Sequence, residues 1–196
     1  GVDLNKYLIE VLGDLKKIRF IANSDKTSDN ILFSDKENNM DAYVVVTDDG
    51  WLEIHTIAGN FVASEDCSEM FYNLRQVTDI DLGDNFNTSN VMNMNSMFGG
   101  CRALVSLKFG NKFDTSSVTN MEGMFGDCWS ITHLDLSVFN TSNVIEMRGM
   151  FGNCESLTSI DLSNFNTSNV TDMRQMFSYC KSLSSLDVSN FDTSKV

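Results

Sequence analysis

Proline is absent from this chain of 196 residues, so every reversal must be made by residues that bond their own backbone or accept positive φ: Gly, Asn, Asp and Ser. Histidine occurs twice, and Lys and Arg number 14 against 27 Asp and Glu. The formal net charge of −13 repels phosphate backbones and anionic lipid surfaces, which argues against nucleic acid as a partner and against membrane insertion. No apolar run approaches the roughly 18 residues needed to cross a bilayer. The chain opens at Gly1 without a charged-then-apolar leader, so any targeting segment is expected to have been removed or to lie outside this sequence. Gly-x-Ser-x-Gly, His-Glu-x-x-His and phosphate-binding glycine loops are missing, as are Cys pairs at metal-ligand spacing. No catalytic residue, metal or cofactor is therefore expected, and the chain reads as a non-enzyme. Glycoside cleavage by a carboxylate pair is the one chemistry the composition leaves open.

What is present is repetition. Met-Phe falls at Met70-Phe71, Met97-Phe98, Met124-Phe125, Met150-Phe151 and Met176-Phe177, at intervals of 27, 27, 26 and 26. The extra residue sits in one place, where Gly83-Asp84-Asn85-Phe86 and Gly110-Asn111-Lys112-Phe113 replace Ser163-Asn164-Phe165, and an insertion confined to one spot marks a loop. A period of this size, with apolar residues at fixed offsets, predicts a solenoid of stacked coils, because one unit cannot bury its own apolar face. Within a unit, Ile160 and Leu162 alternate with Ser159 and Asp161, which predicts a short strand pairing in parallel with its copies. After the Asn166-Thr167-Ser168-Asn169 turn, Val170, Met173, Met176 and Phe177 predict a short returning helix.

The phrase Met-Phe-x-x-Cys-x-x-Leu-x-x-Leu-Asp-Leu-Ser-x-Phe-(Asn/Asp)-Thr-Ser-x-Val, in register over 64–196, resembles the 26-residue repeat of the BspA-like leucine-rich-repeat surface proteins of bacteria. The resemblance implies an α/β leucine-rich-repeat solenoid of about five coils, curved and right-handed, built of short parallel strands and short helices. It further implies a secreted or cell-surface, adhesin-like module that binds a protein or glycoprotein, as a monomer and without catalysis. A spacer holding another domain off the cell surface, and a carbohydrate-binding or carbohydrate-active module, are the alternatives.

Residues 1–63 do not repeat. Leu4, Leu8, Val11, Leu12 and Leu15 predict an amphipathic helix over 3–16. Lys17–Ile21, Ile31–Phe33, Ala42–Thr47 and Trp51–Ile57 predict strands, the last two joined at Asp48-Asp49-Gly50, a strong hairpin signal. The segment reads as an α+β cap over the open end of the solenoid.

Candidate sites lie where coils differ. Asp81, Lys108, Asp135, Asp161 and Asp187 form one outward row on the predicted strands, with His133 beside it. Stacked like charges are destabilising, so the row calls for hydration, cations or a basic partner. Trp129 stands where other coils have Arg102, Glu155 and Lys181, and with Tyr179 it is a candidate aromatic anchor for a partner. Cys101, Cys128, Cys154 and Cys180 recur in register, but Leu74 fills the same slot in the first coil, so the position reads as apolar core and not as disulfides or a metal site.

Overall fold

Residues 4–22, 33–35, 40–56 and 61–196 are described in the computed structural model, a mixed α/β fold with one α-helix among them. Helix α1 (Leu4–Val11) forms because Leu4, Leu8 and Leu12 make one stripe, and all three are buried. It stops short of the expected 3–16 because Gly13 takes φ +49°, a left-handed cap; position 3 lies outside the described residues. Asn5 donates its side-chain amide to the Tyr72 carbonyl at 2.9 Å, tying the helix to the first repeat.

The first 63 residues contribute β1 (Lys17–Ile21), β2 (Phe33–Asp35), β3 (Met40–Val46), β4 (Trp51–Thr56) and β5 (Phe61–Val62). The repeats contribute β6 (Asp79–Asp81), β7 (Phe86–Asn87) and β8 (Ser106–Lys108). Antiparallel β3 and β4 close through Gly50 at φ +83°, with Val46 opposite Leu52. Of the expected strand Ile31–Phe33 only Phe33 is described, and Ile57 likewise lies outside.

One sheet runs β2-β3-β4-β1-β6-β8. Strand β1 lies between β4 and β6, parallel to both, so the pairing passes from the non-repeating segment into the repeats without a break. Its alternation decides what meets the core: Ile18 and Phe20 are buried, and Phe20 packs edge-on against Phe61, Phe71 and Phe86 at 5.2, 6.0 and 4.9 Å. A second, two-stranded sheet pairs β5 with β7 in parallel.

Successive repeats are joined by bonds that recur with the sequence period. Parallel bridges link Asp66, Asn93, Asn120, Glu146 and Asp172 in turn. From one coil Met94, Ser96, Phe98 and Gly100 donate N–H bonds to the carbonyls of Asn120, Glu122, Met124 and Gly126, and the coils on either side repeat the set. The Phe rings of Phe71, Phe98, Phe125, Phe151 and Phe177 stack with centroids 5.3, 5.8, 5.6 and 5.5 Å apart and planes within 9°. Buried threonines make a second ladder: Thr115 donates its hydroxyl to the Asn140 carbonyl at 2.9 Å and accepts the Asn140 N–H at 2.8 Å, as Thr88, Thr141 and Thr167 do with the next coil. The cysteines are free thiols, and each of Cys101, Cys128, Cys154 and Cys180 donates to the Phe carbonyl of the coil before.

Two expectations for the repeat unit are corrected. The Met-x-x-Met-Phe segment is not a helix: bonds such as Met97 N–H to Met94 and Gly99 N–H to Ser96 close three-residue turns, and the intervening N–H groups reach the next coil. Positive φ at two positions per coil, for example Ser96 at +51° and Gly100 at +73°, interrupts any helix. The parallel strands also stop at β8. Further on, Asn164 spends its side-chain amide on the carbonyls of Leu136 and Phe139, at 3.0 and 2.8 Å, where a ladder would use backbone N–H groups. Asn190 does the same to Leu162 and Phe165. Among the described residues no helix is long and apolar enough to cross a membrane.

Candidate functional site

The turn row that replaces the helix carries a groove of about 410 Å³ running across coils. Three columns of residues build it. Glu69, Ser96, Gly123, Gly149 and Gln175 all take φ between +51° and +60°. Asn73, Gly100, Asp127, Asn153 and Tyr179 take φ between +57° and +73°. Left-handed backbone favours Gly and, after it, Asn and Asp, which fill most of these positions, with Glu69, Gln175 and Tyr179 the large exceptions at the end coils. Tyr72, Gly99, Gly126, Gly152 and Ser178 form the column between them.

The outcome is a floor of glycine in the middle coils with a tyrosine at each end: Tyr72 is 40% exposed and Tyr179 69%. The walls are polar and of both signs. Arg148 stands 3.9 Å from Glu122, and Asp127 accepts from the Asn153 amide at 3.0 Å and the Trp129 indole N–H at 3.4 Å. Of the residues singled out in the sequence only Tyr179 lines this groove. The missed signal was glycine recurring at 99, 126 and 152, where backbone carbonyls approach to 3.2–3.3 Å of an added Cβ, and at 123 and 149, where φ is positive.

The outward row lies elsewhere. His133, Asp135 and Asp161 border a smaller hollow of about 300 Å³ with Ser137, Ser163 and Asn164. Each aspartate is turned to its own chain: Asp81 accepts from the Gly83 N–H, Asp135 from Ser137, Asp161 from Ser163 and Asp187 from Ser189, all at 2.9–3.0 Å. Hydrogen bonds from these serines hold the Asp135, Asp161 and Asp187 carboxyls below their usual range. Lys108 stands 3.8 Å from Asp81 and compensates it. Trp129 has one face covered by the Arg102 guanidinium, 4.1 Å from the ring centroid, which leaves it 39% exposed.

In the cysteine row burial raises each thiol above its ordinary value. Burial pushes the Cys101 and Cys154 thiols up to about 12 and Cys128 well above its ordinary value. In the cap, buried His55 places Nε2 2.7 Å from Glu53 and stacks on Tyr43 at 4.8 Å. Burial works against the Glu53 carboxylate, yet bonds from His55 and Arg19 hold it below its ordinary range. Among the described residues no group of three or more His, Cys, Asp or Glu is arranged to hold a metal.

No curated protein matches this sequence, and no solved structure does. One family does, over residues 65–161 and again over 135–196; the two matches overlap because a repeat of 26–27 residues can be aligned in more than one register. The matched stretch takes in every coil and both tyrosines of the groove, and the chain belongs to that family, described as Mycoplasma protein of unknown function, DUF285.

Proposed function

We propose that the repeats form a leucine-rich-repeat-like solenoid serving as an extracellular, adhesin-like binding module, with the glycine-floored groove as the surface that holds the ligand. One observation carries the reading. The groove crosses coils instead of lying within one, and it is made where coils differ, with glycines in the middle and tyrosines at the ends. Residues common to all coils are committed to the Phe, Thr and Cys ladders, so a ligand is read by the residues that vary. The aspartate row is the weaker surface, because its carboxylates already serve their own turns. Resemblance to BspA-like repeats favours a cell-surface setting, and the net charge of −13 agrees with a partner that is neither nucleic acid nor membrane.

The test is capture of extracellular-matrix proteins and mucosal extracts on the immobilised chain, beside Gly126→Gln and an Asp135→Lys/Asp161→Lys pair. Gly126→Gln puts a side chain where Tyr72 and Ser178 stand in their coils; its Cβ comes to 3.2 Å from the Gly123 carbonyl oxygen and 3.4 Å from that of Gly149, so the variant is checked for folding before capture is read. Capture lost with Gly126→Gln and kept with the aspartate pair is the expected result. The reverse pattern moves the site to the strand row, and no capture by the parent chain favours a spacer.

A further inference from the structure

We propose that the groove takes a linear, uncharged saccharide chain. The proposal rests on the groove being the binding surface and names the chemistry of what fills it. Two chain-like ligands compete for such a shape, an extended peptide and a sugar chain. An added peptide strand owes its affinity to main-chain hydrogen bonds. Here the floor has none to give: Gly100, Gly123 and Gly149 donate to the carbonyls of Gly126, Arg148 and Arg174, and Gly99, Gly126 and Gly152 close their own turns.

Spacing separates the two as well. Side chains on one side of an extended peptide recur about every 6.6–6.8 Å, whereas the Phe rings beside the groove recur from coil to coil at 5.3–5.8 Å. One pyranose unit of a linear chain is close in length to that coil step, so one ring falls on each coil. The walls offer what a sugar hydroxyl needs, donors and acceptors side by side: the Glu122 carboxylate beside the Arg148 guanidinium, and Asp127 beside the Asn153 amide. Tyr72 and Tyr179 present rings with an apolar face and a polar tip at the two ends, suited to the C–H faces of pyranose rings. Sulfated or uronic chains are disfavoured by the net charge of −13 and by the Glu122 and Asp127 carboxylates.

Titration calorimetry and chemical-shift mapping with cellohexaose, mannohexaose and N-acetylchitohexaose, each beside its disaccharide and a neutral six-residue peptide, test the assignment. At least one hexasaccharide is expected to bind more tightly than its disaccharide, and to lose about tenfold or more in affinity in both Gly126→Gln and Tyr72→Ala. Tyr72→Ala removes an exposed ring and should keep the parent's unfolding midpoint; Gly126→Gln crowds the Gly123 carbonyl oxygen at 3.2 Å and is read below its own midpoint, so that Tyr72→Ala guards against misfolding of the first. No response to any of the three hexasaccharides at millimolar concentration overturns the saccharide assignment. So does peptide binding with the same sensitivity to the two variants, although the groove then stands. Capture from mucosal extracts that survives Gly126→Gln instead removes the groove reading itself, and capture that is groove-dependent yet not competed by an excess of the binding hexasaccharide removes only the sugar.

Discussion

Thr141 is wholly buried and its hydroxyl bridges two backbone groups of the next coil, the Asn166 carbonyl at 2.9 Å and the Asn166 N–H at 2.8 Å. Thr141→Val fills the same volume but strands both groups, which predicts a loss of about 1–3 kcal/mol in urea unfolding, with Thr141→Ser far closer to the parent. Equal midpoints for Val and Thr would show that the bridge holds nothing. Asp161 is a different case: its task is to accept the Ser163 N–H, which an amide oxygen can do, as Asn140 and Asn166 do for Ser142 and Ser168. Asp161→Asn should keep the thermal midpoint at pH 7 and Asp161→Ala should lower it. Protonation has a definite sign here. The folded carboxyls of Asp135, Asp161 and Asp187 titrate below their unfolded counterparts, so their contribution is present above about pH 4 and is lost as pH falls through the depressed values. A triple Asp→Asn variant should therefore lose less stability than the parent between about pH 5 and pH 2. The turn partner was visible in the sequence as Gly or Ser two residues after each aspartate; reading the row as free charge overlooked it.

Gly149 isolates the strain in the turn row. An added Cβ meets nothing within 4 Å, yet φ is +59°, so Gly149→Ala predicts a cost of about 1–2 kcal/mol from backbone conformation alone, measurable by chemical unfolding. No change in midpoint would mean that the backbone relaxes there. The helix expected over this segment failed for a physical reason. Val170, Met173 and Met176 are spaced by three, which three-residue turns satisfy better than a 3.6-residue winding, and two left-handed positions per coil leave no run long enough to nucleate a helix. Helix α1 and the β3–β4 hairpin were legible because their signals are local: a leucine stripe, and Asp-Gly between two apolar runs.

Strand β1 joins the non-repeating segment to the repeats, and one apolar cluster extends from Leu4 to Met176. The two regions should unfold in a single transition. Trp51 reports on the cap and Trp129 on the repeats, so single-tryptophan variants are expected to give superimposable urea curves; two separated midpoints would mean two independent units. Phe20→Ala, which removes the ring packed on Phe61, Phe71 and Phe86, should shift both curves together by about 3–5 kcal/mol. Thiol labelling gives a further check. Buried Cys101, Cys128 and Cys154 should resist a disulfide reagent until unfolding, while half-buried Cys180 reacts first.

Repetition with a period of 26–27 residues was enough to assign the Phe and Cys columns to equivalent positions, because identical residues at a fixed interval meet identical neighbours. Three matters were decided only in three dimensions. Which N–H groups bond within a turn and which cross to the next coil depends on stacking, so helix gave way to turn. Whether an aspartate faces solvent or its own backbone depends on the turn that follows it. The groove arises because glycines distant in sequence are set side by side and tyrosines are left at either end, an arrangement that no single repeat contains.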